Sequence, residues 1–143
     1  VGNKKWWAGD IEDSYNNMEF KDDVIFLGRL DEEELAKIYA SSIALVYASL
    51  FEGFGIPIIE AFNAETAVIT SNVTSMPEVA GDAALLVNPL DVDEIANSLK
   101  SLAYNKELRD SLIEKGKIRK LLFSWDKTAE KLWNTIENVL EKQ

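Results

Sequence analysis

The chain has 143 residues, 47% of them apolar and 28% charged, the size and balance of one globular domain with a real core. It contains no cysteine and no histidine, which excludes disulfides, thiolate metal sites and histidine general-base chemistry. The net charge of −10 and pI near 4.5 repel a phosphate backbone, so no nucleic-acid partner is expected.

No apolar run approaches the roughly 18–20 residues of a membrane span. With no leader visible, a cytoplasmic location is expected. The first residue is Val1 rather than Met, which reads as an excised domain. Trp6 and Trp7 have two readings, as a cover for a sheet or as rings exposed by truncation.

Short β-branched runs then alternate with longer amphipathic stretches. Val24-Ile25-Phe26-Leu27, ending at Gly28, reads as a buried strand. Asp31 with Glu34 three residues on predicts a capping box and a helix through about Ala40. Ile43 to Tyr47 is the next expected strand. A glycine-bearing turn, Glu52-Gly53-Phe54-Gly55, leads into a helix near Pro57, proline being favoured where a helical N–H would go unbonded. Further strands are expected at Ala67–Thr70 and Ala84–Val87. A short helix should start at Pro77, where Ser75, Glu78 and Val79 read either as capping residues or as ligand contacts.

Asp91 predicts a cap for a helix to about Ala103, and Asn105–Leu122 a further one with Leu108, Leu112, Ile113 and Leu121 inward. Ser124 predicts the cap of a last helix whose inner stripe is Trp125, Ala129, Leu132, Trp133, Ile136 and Leu140. The basic run Lys115, Lys117, Arg119 and Lys120 has two readings: a solvated helix face, or a patch resting on an anionic membrane surface.

Strands apolar on both faces, separated by helices, imply an α/β Rossmann-like parallel sheet covered on both sides, as one domain over residues 1–143. Ligands of such sheets bind beyond the carboxyl ends of the strands. That edge comprises the loops Gly28–Asp31, Ala48–Gly55 and Ser71–Pro77.

The chemistry concentrates in Ser49-Leu50-Phe51-Glu52-Gly53-Phe54-Gly55-Ile56-Pro57-Ile58-Ile59-Glu60-Ala61. Gly53 and Gly55 let the backbone approach a ligand. The first-turn amides at the positive end of the helix dipole suit a phosphate. Glu60 lies roughly 5 Å deeper along the axis, where its carboxylate can hold both hydroxyls of a ribose. Glu52, before the turn, faces the far side of the phosphate. A phosphate with a sugar on either side is a nucleotide sugar.

Glu52 and Glu60 around Gly-Phe-Gly-Ile-Pro resemble the E-x7-E signature of retaining GT-B glycosyltransferases of the group 1 (family 4) type, which include bacterial mannosyl- and glucosyltransferases. Ser71 to Ala84 is similar to that family's downstream segment, and Phe123-Ser124-Trp125 to its entry into the last helix. The resemblance implies one half of a GT-B fold, the donor-binding C-terminal domain of a retaining hexosyltransferase, with a mild preference for mannose. It implies that Glu52 is the catalytic-site residue binding the donor sugar's hydroxyls and that Glu60 binds the ribose. The backbone of Gly53, Phe54 and Gly55 would meet the diphosphate and sugar. Gly28, Arg29 and Leu30 would flank the base. No metal and no cofactor are expected; the Asp91-Val92-Asp93 match to a metal-binding Asp-x-Asp pattern reads as a helix cap.

Two departures stand out. Ala64-Glu65-Thr66-Ala67 replaces the family's usual Cys-Gly-Thr-Pro, and a helix end with positive φ costs Glu about 1 kcal/mol relative to Gly. Nothing before Val1-Gly2 supplies the family's Gly-Arg…Lys loop, Lys4 and Lys5 being misplaced for it. The acceptor, carbohydrate or lipid-linked, would come from an N-terminal domain not in this sequence, and the fragment by itself is expected to be inactive. The rival reading is a non-catalytic nucleotide-sugar-binding or scaffold module. A dinucleotide-binding oxidoreductase is disfavoured, since no G-x-G-x-x-G follows a strand. Peripheral contact with the inner face of a membrane is the expectation attached to the basic run.

Overall fold

In the computed structural model of the chain, which describes residues 1–2 and 9–141, Ala67–Ser71 forms a central strand with all five residues buried. It is β2 of a three-stranded parallel sheet. β1, Ala44–Tyr47, pairs along one side, with Leu45 opposite Val68. β3, Leu85–Val87, pairs along the other, with Ile69 opposite Leu85. Period-two alternation along β2 sends its side chains to two layers. Val68 joins Ile58, Ala61 and Phe62 of α3 (Ile56–Asn63) and Met76, Val79 and Ala80 of α4 (Met76–Ala80). Ala67 and Ile69 join Leu102 of α5 (Val92–Tyr104) and Leu112 of α6 (Lys106–Arg119). The fold is the expected α/β one, a parallel sheet with helices on both faces. Lys4, Lys5, Trp6 and Trp7 lie outside the described residues.

The chain divides into two units, Val1–Leu35 and Ala36–Gln143. The first holds α1 (Asp10–Asn16), a 3-10 turn at Lys21–Asp23 and an extended stretch to Leu27. Among the described residues, the strand expected at Val24–Leu27 does not form. The backbone leaves Val24 extended, at φ −84° and ψ 107°, but it joins no ladder with another described segment, and Ile25 is 75% exposed. A strand exists only where a partner takes up its N–H and C=O groups, which local composition cannot guarantee. The N–H of Gly2 donates to the carbonyl of Gly28 at 2.6 Å, and Tyr15 meets Phe26 edge to face at 5.4 Å.

The capping signals hold. α2, Glu32–Ser41, opens with a reciprocal box in which Glu34 N–H donates to Asp31 Oδ1 at 2.8 Å and Asp31 N–H to Glu34 Oε2 at 3.2 Å. Asp91, Asn105 and Ser124 accept from the third residue of α5, α6 and α7 (Trp125–Leu140) respectively. Asp91 therefore acts as the cap the sequence suggested.

The helix end at Ala64-Glu65-Thr66 carries the strain read from the departure. Glu65 has φ +57°, and Thr66 N–H reaches Ala61 O at 2.9 Å while Glu65 N–H reaches Phe62 O at 3.3 Å. This is a Schellman closure with glutamate in the position that favours glycine. The Glu65 carboxylate is held by Lys117 at 3.0 Å.

That contact belongs to a wider correction of the basic run. Lys115 pairs with Asp82 at 3.1 Å, Lys117 also with Glu114 at 2.9 Å, and Arg119 Nε donates to Val79 O at 3.1 Å. A second guanidinium nitrogen of Arg119 donates to Glu78 O. Three of the four cations are thus engaged within the fold, fixing α6 to the turns after α3 and α4. They are neither a purely solvated face nor a free basic patch.

α6 approaches α3 closely at Gly116, where an added Cβ would lie 2.7 Å from Phe62 Cδ1. Leu112 is buried and Leu108 and Ile113 pack beside it, whereas Leu121 is 65% exposed. The expected inner stripe of α7 is corrected more strongly. Trp125, Leu132, Trp133 and Ile136 are all exposed, Trp125 at 82%, and the helix buries no residue. Helical periodicity defines an apolar face but says nothing about what covers it. Among the described residues no helix is long and apolar enough to cross a membrane.

Candidate active site

β1 and β2 end side by side, and the loops that follow them are stapled together by hydroxyl groups. Ser71 Oγ donates to Ser49 O. Ser75 Oγ lies 2.9 Å from Glu52 O and 3.0 Å from Phe54 O, and Glu52 N–H lies 3.4 Å from Thr74 Oγ1. Ser75 precedes α4 but makes no side-chain cap; its hydroxyl serves the neighbouring loop instead. Thr74 sits at φ +54°, a conformation that is costly for a β-branched residue and characteristic of functional sites. Glu78 is exposed and Val79 buried in the core.

The motif's turn has the shape its glycines permit. Gly55 takes φ +104° as the residue before α3, and a Cβ there would meet Ile58 Cδ1 at 3.1 Å. A Cβ at Gly53 would meet open space, so that position leaves room for a close approach. The helix begins one residue earlier than expected, at Ile56, with Pro57 second. No side chain caps it, and Ile58 N–H already donates to Gly55 O at 3.0 Å. Among the described residues, the amides of Gly53, Phe54, Gly55 and Ile56 donate to no protein group. The available donors therefore lie mostly in the turn rather than in the helix's first turn. Phe54, 44% exposed, packs edge to face on Phe123 at 5.7 Å, and Phe123 in turn lies under the Arg119 guanidinium.

Glu52 and Glu60 are each half-buried and each lies beside a tyrosine. Tyr39 Oη donates to Glu60 Oε2 at 3.2 Å. Glu52 Oε1 accepts from Ser49 Oγ at 2.9 Å. Burial first, then the Glu60 carboxylate, pushes the Tyr39 phenol up to about 12. Burial and then Glu52 push Tyr47 up to about 12 as well. Tyr47 also feels the charge of Glu60, and Tyr39 that of Tyr47.

Sequence reasoning singled out Glu52, Gly53, Phe54, Gly55 and Glu60; the first four lie in one turn and Glu60 lies within α3, the helix that follows it. It missed Tyr39, which bonds Glu60, and Thr74, which meets Glu52 N–H. Gly28, Arg29 and Leu30 form the turn before α2 in the first unit, with Gly28 at φ +67° and open space where a Cβ would stand. A shallow hollow of about 380 Å³ lies at the opposite, amino edge of the sheet, lined by Ser42, Ile43, Ala44, Leu99, Leu102 and Ala103. It has no charged residue in its lining.

The profile of the family described as Glycosyl transferases group 1 matches residues 7–119. The chain belongs to that family. This group 1 chain is 40% identical over 101 residues to O-antigen chain mannosyltransferase B of Escherichia coli, covering 71% of the chain and 26% of the relative. It is 39% identical over 105 residues to the MMP alpha-(1->4)-mannosyltransferase of Mycolicibacterium hassiacum, covering 70% and 25%. Among solved structures it superposes on sucrose-phosphate synthase from Thermosynechococcus elongatus with TM-score 0.83 and 28% identity, over 93% of the chain and 34% of that protein. The shared architecture is that of a GT-B glycosyltransferase. The group 1 chain spans about a quarter to a third of the length of these proteins.

Proposed function

We propose that this chain is the donor-binding part of an enzyme moving a hexose from a nucleoside-diphosphate sugar to a glycan or lipid-linked acceptor with retention. The carrying observation is the pair Glu52 and Glu60, anchored by neighbouring hydroxyls on either side of a glycine turn whose amides are unclaimed. Mannose is the preferred sugar, because relatives at 40% and 39% identity bear mannosyltransferase names. In this reading Glu60 accepts from the ribose hydroxyls and Glu52 from hydroxyls of the donor hexose. The Gly53–Gly55 amides meet the diphosphate. Aimed amides stabilise charge developing on the leaving diphosphate without needing a metal. Residues outside this sequence bind the acceptor.

The test is a nucleotide-sugar panel on the full-length protein, read by released nucleoside diphosphate, with and without a chelator. GDP-mannose is expected to turn over, and the chelator to leave the rate unchanged. Glu60→Ala is expected to weaken nucleoside-diphosphate binding tenfold or more, a loss of about 1.5–3 kcal/mol for hydrogen bonds to a charged group. Glu52→Ala is expected to lower transfer more than nucleotide affinity. Equal affinity of wild type and Glu60→Ala by calorimetry would refute the ribose role.

A further inference from the structure

Glutamate has three rotatable side-chain bonds, and fixing such a chain costs up to about 2 kcal/mol of rotamer freedom. A carboxylate that must meet a diol in one orientation works best when something already holds it. Glu60 has such a holder, and the holder is itself anchored. Tyr39 sits in the last turn of α2, packs against the core beneath α3, and its carbonyl accepts Thr66 Oγ1 at 2.7 Å.

We propose that Tyr39 is a positioning residue that sets the orientation of Glu60 toward the ribose. An ionised carboxylate only accepts, so the Tyr39 phenol must be the donor. Tyr39 occupies Glu60 Oε2, while Glu60 Oε1 accepts nothing among the described residues. One oxygen is thus held and the other is open to a ligand. Glu52 is held separately, by Ser49 Oγ at 2.9 Å. The inference rests on the nucleotide-sugar reading above.

The experiment measures affinities by calorimetry on the full chain, with GDP and UDP, their 2′-deoxy counterparts, GDP-mannose and UDP-glucose as probes. Variants are Tyr39→Phe and Glu60→Ala; the phenylalanine keeps the ring. In wild type the ribonucleotide should bind better than its 2′-deoxy form, and Glu60→Ala should abolish that preference. Tyr39→Phe is expected to cut the preference about five- to tenfold, the net effect of one typical hydrogen bond. The readout is a ratio within one preparation, so a reduced folded fraction does not mimic it. A ribose preference unchanged in Tyr39→Phe, with that of Glu60→Ala lost, overturns the positioning role alone. If wild type binds none of the probes, or Glu60→Ala retains the ribose preference, the underlying reading fails and the role of Tyr39 with it.

Discussion

Tyr39 and Tyr47 show where single-residue reasoning reaches its limit. The two glutamates were legible because their spacing across a glycine turn is local, whereas Tyr39 meets Glu60 across 21 positions, through α2. Nothing in the composition of α2 marks Tyr39 as anything but packing. Ser75 was read as a cap or a ligand contact because those are what its neighbours in sequence offer, yet its hydroxyl bridges to Glu52 and Phe54. The tyrosines also make a prediction. Their folded-state values near 12 exceed the ordinary 10.0, so between those values the unfolded chain releases protons that the native state keeps. Stability should be unaffected by these groups below pH 10 and fall as pH rises toward 12. Chemical denaturation at pH 9, 10.5 and 11.5 measures this, and the double variant with phenylalanine at both positions should lose less of its stability over that range.

At the level of elements, capping and strand signals proved local enough to place four helix starts and three strands. Val24–Leu27 failed because pairing is a property of two segments, and α7 because an apolar face has no address for its partner. The Ala64-Glu65-Thr66 departure was read correctly as a strained helix end. Glu65→Gly should relieve that strain by about 0.5–1 kcal/mol. The exposed pair with Lys117 opposes this by at most about 1 kcal/mol and is screened in salt. The gain in thermal midpoint should therefore be clearest in 1 M salt. Gly116 makes the opposite case. Alanine improves an isolated helix, but here its methyl would enter the Phe62 ring, 2.7 Å away. Gly116→Ala should destabilise by about 1–3 kcal/mol, seen as an earlier urea midpoint with an unchanged slope.

Across the whole molecule, the sheet and its two helical layers account for the buried core, and α7 adds no buried residue to it. Removing residues 125–143 should therefore leave the denaturation free energy within about 1 kcal/mol of the starting chain. A larger loss would show that the exposed Trp125–Leu140 face is covered in solution. The parallel architecture was legible because strand composition and helix alternation repeat along the chain. Its strand count was not, since that depends on which extended segments find neighbours.

The hydroxyl staples between the two strand-end loops have a consequence for how such a site changes through evolution. Thr74 and Ser75, outside the buried core, join the loops by directional bonds with hardly any apolar mass. Exchanging one of them redirects the loops but opens no void in the interior, which is filled from α3 to α6. Ligand preference and thermodynamic robustness are thereby written in different atoms, and one can drift while the other stays put.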